Sequence, residues 1–201
     1  MENTEALKTA VVAIIGRPSA GKSTFLNTAC QEPVSIVSPI PQTTRNAIKG
    51  IVNTSFGQLI FIDTPGYHES EKKLNLRLRN VTESQLEGID CVLYVIDSTR
   101  QPGDEEALTA RLLEKLQQKT VVAINKTDLP ASKPLAIREF IKQTLPEIPG
   151  ERILEMSAEK DNGINEVLKA LYDISPQGTP IYDEEVYTDQ DLTFRICEII
   201  R

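Results

Sequence analysis

The stretch that decides the fold is Val11–Asn27, "VVAIIGRPSAGKSTFLN". An apolar run enters a loop of small residues, and that loop opens into residues that favour helix. Within it Gly16–Ser23, "GRPSAGKS", satisfies GxxxxGK[ST] with a strand before it and a helix after it, the context the motif requires. The physical logic is that of a phosphate cradle. Glycines admit oxygens closely, successive amides turn inward, and the N-terminus of the following helix adds partial positive charge. Gly16, Arg17, Pro18, Ser19, Ala20, Gly21, Lys22, Ser23 and Thr24 are therefore candidate ligand-binding residues. Lys22 is expected to bridge the β- and γ-phosphates of a nucleoside triphosphate, and the Ser23 hydroxyl to ligate magnesium. A turn that binds nothing is the competing reading, and the complete octet stands against it.

Outward from this stretch, short apolar runs alternate with helical patterns. Candidate strands are Thr9–Ile15, Asn46–Thr54, Gln58–Asp63, Asp90–Asp97, Thr120–Asn125 and Arg152–Ser157. Most are nearly continuous apolar runs, which suits strands covered on both faces. Helical patterns fall near Lys22–Gln31, Lys73–Glu87, Asp104–Gln118, Pro134–Leu145 and Ile164–Tyr172. The expected architecture is α/β: a six-stranded, mostly parallel sheet of the P-loop NTPase type with helices on both faces. Only Ser55, Phe56 and Gly57 separate the second and third runs, too few for a crossover, so an antiparallel edge strand is expected there. After Tyr172 the texture turns to Pro, Gly and acidic residues. Residues 1–174 thus read as one domain, and 175–201 as a linker with the first helical segment of something further.

Composition excludes several classes. Of 201 residues, 40% are hydrophobic and 25% charged, which fits a folded globular chain. No apolar run reaches the roughly 20 residues of a membrane span, and "MENTEALKTA" lacks the pattern of a secretory signal, so a cytoplasmic protein is expected. Cys30, Cys91 and Cys197 are scattered and lack CxxC or histidine companions, which argues for free thiols over a disulfide or zinc site. A net charge of −7 argues against these residues binding nucleic acid by themselves.

The base is specified farther along. "NKTD", Asn125–Asp128, lies at the carboxyl end of a candidate strand, where ligands bind in open α/β sheets. The Asp128 carboxylate can accept from both N1 and the exocyclic amine of guanine, whereas the unprotonated N1 of adenine would leave it unpaired. Asn125 and Lys126 would brace the loop and lie along the base. In "DTPG", Asp63 can hold magnesium through water and the Gly66 amide can bond the γ-phosphate, with Thr64 and Pro65 completing the loop; a Pro65-Gly66 turn is compatible with that role. In "PQTTRN", Thr44, preferred over Thr43, can offer its hydroxyl to magnesium and its amide to the γ-phosphate. The triplet Ser157, Ala158 and Glu159 follows the sixth candidate strand, where amides near Ala158 could meet the guanine oxygen. Lys22, Thr44 and Gly66 are the candidate catalytic residues, and Ser23, Thr44 and Asp63 the candidate metal ligands.

On these motifs, "GRPSAGKSTFLN", "PQTTRN", "DTPGYHE", "NKTDL" and "MSAEKDNGINEV", in order and spacing, the chain resembles the translation-factor-class small GTPases, and among them the bacterial Era family. The tail "PIYDEEVYTDQDLTFRICEIIR" is similar to the segment leading into that family's KH RNA-binding domain, which sets it apart from Der- and MnmE-like relatives. The resemblance implies a monomeric, cytoplasmic GTP/GDP switch with magnesium, acting in small-ribosomal-subunit (30S) assembly and 16S rRNA processing, with peripheral association at the inner face of the cell membrane. It also implies that RNA contact comes mainly from the KH domain, so that this chain alone binds RNA weakly or not at all. The alternatives are a nucleotide-dependent interaction module with negligible turnover, or the G domain of a Der- or MnmE-like protein.

Hydrolysis presents two departures. Tyr67 stands where Ras-type enzymes carry a glutamine that orients water, so slow turnover by other means is expected. The resemblance also implies a potassium ion beside the phosphates, held in part by an asparagine at the fourth loop position, and this chain has Ser19 there, which puts potassium activation in question. Arg17 and Arg45 are candidate cations, although solvated surface arginines are the preferred reading. His68, adjoining the same loop, is a candidate base, with a solvent-facing role preferred.

Overall fold

The computed structural model describes residues 6–35, 48–63 and 88–189. The candidate helix at 73–87 and the segment 190–201, with Cys197, lie outside them. Six strands, β1 (Lys8–Ile15), β2 (Ile48–Thr54), β3 (Gly57–Asp63), β4 (Cys91–Asp97), β5 (Thr120–Asn125) and β6 (Ile153–Glu155), form one sheet in the order β2-β3-β1-β4-β5-β6. All pairings are parallel except β2 with β3, the hairpin expected at one edge. The described helices are α1 (Lys22–Cys30), α2 (Asp104–Leu113), α3 (Pro134–Thr144) and α4 (Ile164–Ile174).

The continuous apolar runs arise because alternate residues serve two cores. Leu93 and Val95 of β4, with Val121 and Ala123 of β5, join Phe25 and Leu26 of α1 and Val167 and Leu171 of α4 on one face. Val92, Tyr94 and Ile96, with Val122 and Ile124, meet Ala110 and Leu113 of α2 and Ile137 and Ile141 of α3 on the other. Every residue of β4 and β5 is buried, as a strand sandwiched between helix layers must be. The pattern expected to continue as helix to Gln118 instead tightens after Leu113 into a 3₁₀ segment, Glu114–Lys119. No loop residue separates Lys119 from β5, and the tighter winding brings the chain straight into the sheet.

The segment after α4, read from composition as a linker, lies against the sheet through residue 189. The Thr9 amide donates to Pro176 O at 3.2 Å and the Gly178 amide to Leu7 O at 3.0 Å. The buried Gln58 Oε1 accepts the amides of Ile181 and Tyr182 at 2.8 and 3.0 Å, and its Nε2 donates to Tyr182 O at 2.9 Å. The Ile51 amide donates to Tyr187 O at 2.9 Å, and Gly50 bridges Thr188, so the exposed side of edge strand β2 is partly paired. Of the three cysteines, Cys91 is buried and Cys30 half-buried, both free thiols; burial pushes the Cys30 thiol up to about 12.

Candidate functional site

Because β1, β3, β4, β5 and β6 run parallel, their carboxyl ends share one edge of the sheet. The loop from β1 into α1 occupies the middle of that edge. Two glycines explain its close fit. A Cβ on Gly16 would collide with the Val95 carbonyl, and one on Gly21, at φ +98°, with the Asn125 side chain. Lys22 is buried, and its Nζ donates to Gly16 O at 2.8 Å and Arg17 O at 3.0 Å, so the ammonium closes the loop from its last turn to its first. Ser23 sits in the first turn of α1. Ser19 is exposed in left-handed backbone, φ 62°, a conformation in which asparagine is favoured over most side chains. The residues bearing Thr24 and Thr28 continue α1, where Thr28 Oγ1 donates to Ala158 O at 2.8 Å.

Asn125, at the end of β5 and 2% exposed, is the tie between loops. Its Nδ2 donates to Ala20 O at 2.8 Å, and its Oδ1 accepts the Ala158 amide at 3.0 Å. Two segments, 105 and 33 residues from Asn125 in sequence, thus meet on its amide side chain. The Ala158 amide, expected to face a guanine oxygen, donates here to Asn125, since a buried amide requires an acceptor. Lys126, at φ 65°, directs its ammonium to Asp97 Oδ2 at 2.7 Å. Thr127 donates through Oγ1 to Met156 O at 3.0 Å, and Asp128 is exposed. Ser157 is buried, and its Oγ accepts the Lys160 amide at 3.2 Å; Glu159 is exposed. Asp63 closes β3, in register with Ile14 of β1. Thr43, Thr44, Arg45, Thr64, Pro65, Gly66, Tyr67 and His68 lie outside the described residues.

Several residues that shape the edge carry no motif. Asp97 is in register with Asn125 at the end of β4. Burial disfavours its charge, but hydrogen bonds from Lys126 and from the Thr99 hydroxyl and amide outweigh this and hold the carboxyl below its ordinary range. Ser98, fully buried, donates through both its amide and hydroxyl to Asn125 O at 3.0 and 2.7 Å. The only sequence signal was a polar Asp-Ser pair closing an apolar strand. Arg17 corrects the reading from sequence. Its side chain is 10% exposed and paired with Glu106, which is 3% exposed, so it is neither a solvated arginine nor a cation available to phosphate. Glu106 sits in the first turn of α2, near enough to take up the guanidinium.

A phosphate-cradling loop joined by one buried asparagine to a candidate base-reading loop defines the G domain of a P-loop GTPase. Residues 11–126 match the family described as "50S ribosome-binding GTPase". Within that class the chain belongs to the Era GTPase family. It is 59% identical over 195 residues to GTPase Era of Treponema denticola, covering 97% of this chain and 66% of that protein. To GTPase Era of Borrelia garinii it is 44% identical, with coverages of 97% and 67%. A crystal structure of Era in complex with MgGDPNP and nucleotides 1506–1542 of 16S ribosomal RNA superposes with a TM-score of 0.84 at 33% identity, over 96% of this chain and 66% of that one. The chain therefore spans about two thirds of the length of these relatives.

Proposed function

We propose that this chain binds guanine nucleotides and hydrolyses GTP to GDP and phosphate, as the nucleotide switch of a protein acting in small-ribosomal-subunit assembly. The observation that carries the reading is the double hydrogen bond of Asn125, to Ala20 O and from the Ala158 amide, which joins the phosphate loop, the base loop and the Ser157–Glu159 segment in one site. The close approaches at Gly16 and Gly21 fit a loop whose backbone wraps a triphosphate. Asp128 then selects guanine by accepting from N1 and the exocyclic amine. The Lys22 ammonium, already held over its own loop by two carbonyls, meets the β- and γ-phosphates with little reorganisation. Ser23, Thr44 and Asp63 are the residues that would hold magnesium, which would offset charge on the β- and γ-phosphates. Gly66 and Thr44 would bond the γ-phosphate through their amides.

The 16S rRNA in the complex of the Era relative favours the small subunit as the place of action. RNA contact is assigned mainly to the part of the relatives that this chain does not span. An acidic chain of net charge −7 supplies little of the positive charge that phosphate contacts demand. A monomer in the cytoplasm, with peripheral membrane contact, completes the proposal; among the described residues no helix is long and apolar enough to cross a membrane.

The test is competition for a fluorescent GDP analogue, followed by single-turnover hydrolysis of GTP. GTP should displace the probe and ATP should not, with phosphate released slowly but measurably above the uncatalysed rate. Equal competition by ATP would overturn the base assignment, and binding without turnover would leave a nucleotide-dependent interaction module.

A further inference from the structure

The second residue of the phosphate loop is held from two directions. On its side chain, Arg17 Nε lies 2.9 Å from Glu106 Oε1, and Nη1 donates to Oε2 at 3.1 Å. The same Oε2 accepts the Gly103 amide at 3.2 Å, satisfying a donor at the start of α2. Glu105 stands farther off, 4.0 Å from Nη1. On its backbone, the Arg17 carbonyl accepts the Lys22 ammonium at 3.0 Å and the Ala20 amide at 3.3 Å. One residue thus carries a continuous path from the first turn of α2, across 89 positions of sequence, to the lysine of the phosphate loop.

The pair is costly to place. Arg17 Nη2 is buried without a hydrogen-bond partner among the described residues, and Nε meets Glu106 as an ion pair without hydrogen-bond geometry. A buried ion pair seldom stabilises more than apolar residues of the same volume would. Stability alone is therefore a poor reason for it, whereas fixing the orientation of the Arg17 carbonyl is a direct consequence of the geometry. We propose that Glu106 is a positioning residue for phosphate recognition: through Arg17 it sets the loop carbonyl that holds Lys22, and so ties nucleotide affinity to the N-terminal turn of α2. The inference rests on the reading of this loop as a guanine-nucleotide site.

The test compares Glu106→Gln and the neutral double variant R17L/E106L with the wild-type chain, using a fluorescent GDP analogue and unlabelled guanosine as competitor. Both variants should bind GDP about tenfold more weakly, the loss expected when a phosphate-binding group is slightly misplaced, while guanosine competes as it does in wild type. Glu106→Asp should recover part of the GDP affinity. The double variant removes both charges together, so a fold that tolerates it separates position from net charge, and cooperative urea unfolding checks that it is folded. A folded double variant with wild-type GDP affinity would overturn the inference, as would a gain in affinity for Glu106→Gln, which would make the role one of charge alone. A parallel loss of guanosine binding would also overturn it, by making the effect general. Failure of the wild-type chain to bind GDP would instead defeat the underlying nucleotide reading.

Discussion

The two halves of the candidate site are built on different principles. On the base side, geometry comes from side chains that cross between strand ends: Asn125 to Ala20 and Ala158, Lys126 to Asp97, Ser98 to Asn125. On the phosphate side it comes from the loop's own backbone, with Lys22 bonded to Gly16 and Arg17 only five or six residues away. Its long-range tethers among the described residues are the Arg17–Glu106 pair and the bond that Ala20 O accepts from Asn125. The base side is thus a network in which one deletion frees several segments, and the phosphate side is a local coil shaped largely by its own backbone.

The most direct way to break that contrast is Asn125→Ala. It leaves the Ala20 carbonyl and Ala158 amide without their partner in a buried setting. Unsatisfied buried groups of this kind cost about 2–4 kcal/mol together. Urea unfolding should show the loss as a lowered midpoint at unchanged slope, and GDP affinity should fall with it. A variant with wild-type midpoint would mean that the three loops are held independently.

Asp128→Asn separates recognition from architecture. Asp128 is exposed and unfolding should be unaffected. The amide offers one acceptor and one donor to a guanine edge that presents two donors, so GDP affinity should fall by roughly 10²-fold, the scale of losing a charge-assisted hydrogen bond and leaving a donor opposed. Equilibrium titration with the fluorescent analogue measures this. An unchanged affinity would remove Asp128 from base selection.

The Asp97–Lys126 pair gives the base side a pH signature. Burial raises the cost of the Asp97 charge, but bonds from Lys126 and Thr99 more than offset it and leave the carboxyl below its ordinary value. A depressed folded-state value contributes stability that is complete above the unfolded pKa of about 3.9 and is lost as pH falls through the lower folded one. Asp97→Asn should therefore flatten the fall in stability below about pH 4 and change its slope little near neutrality. Urea midpoints collected across that range decide the matter; an acid limb identical to wild type would place the pair's contribution elsewhere.

What could be read from sequence follows the same division. The sheet was legible because β4 and β5 are buried throughout and so carry no polar break. The phosphate loop was legible because its information is local: glycines, lysine and serine within eight consecutive positions. Asn125 was legible as a motif member, but not as the residue joining three loops, since that depends on register. Asp97 is only the last residue of its candidate strand in the sequence, and its place beside Asn125 depends on the register of β4 and β5. Arg17 looked solvated because Glu106 is 89 positions away. The docked course of residues 176–189 escaped because it is made by backbone groups and by Gln58, a polar residue buried in a strand, and no periodicity announces either.

Ser19 supplies the gentlest probe, and it belongs to the locally built half. Its left-handed backbone, φ 62°, and its exposure are already those an asparagine would accept. Ser19→Asn should alter stability by no more than about 0.5 kcal/mol. What it adds is an amide oxygen with longer reach than a hydroxyl, a ligand that could reach a potassium ion beside the phosphates. With serine, GTP hydrolysis should proceed at similar rates in potassium and sodium; with asparagine the potassium rate should rise relative to the sodium rate. Strong potassium stimulation of the wild-type chain would show that backbone carbonyls and a hydroxyl suffice for the ion, and that the loop's conformation, more than its side chain, makes the cation site.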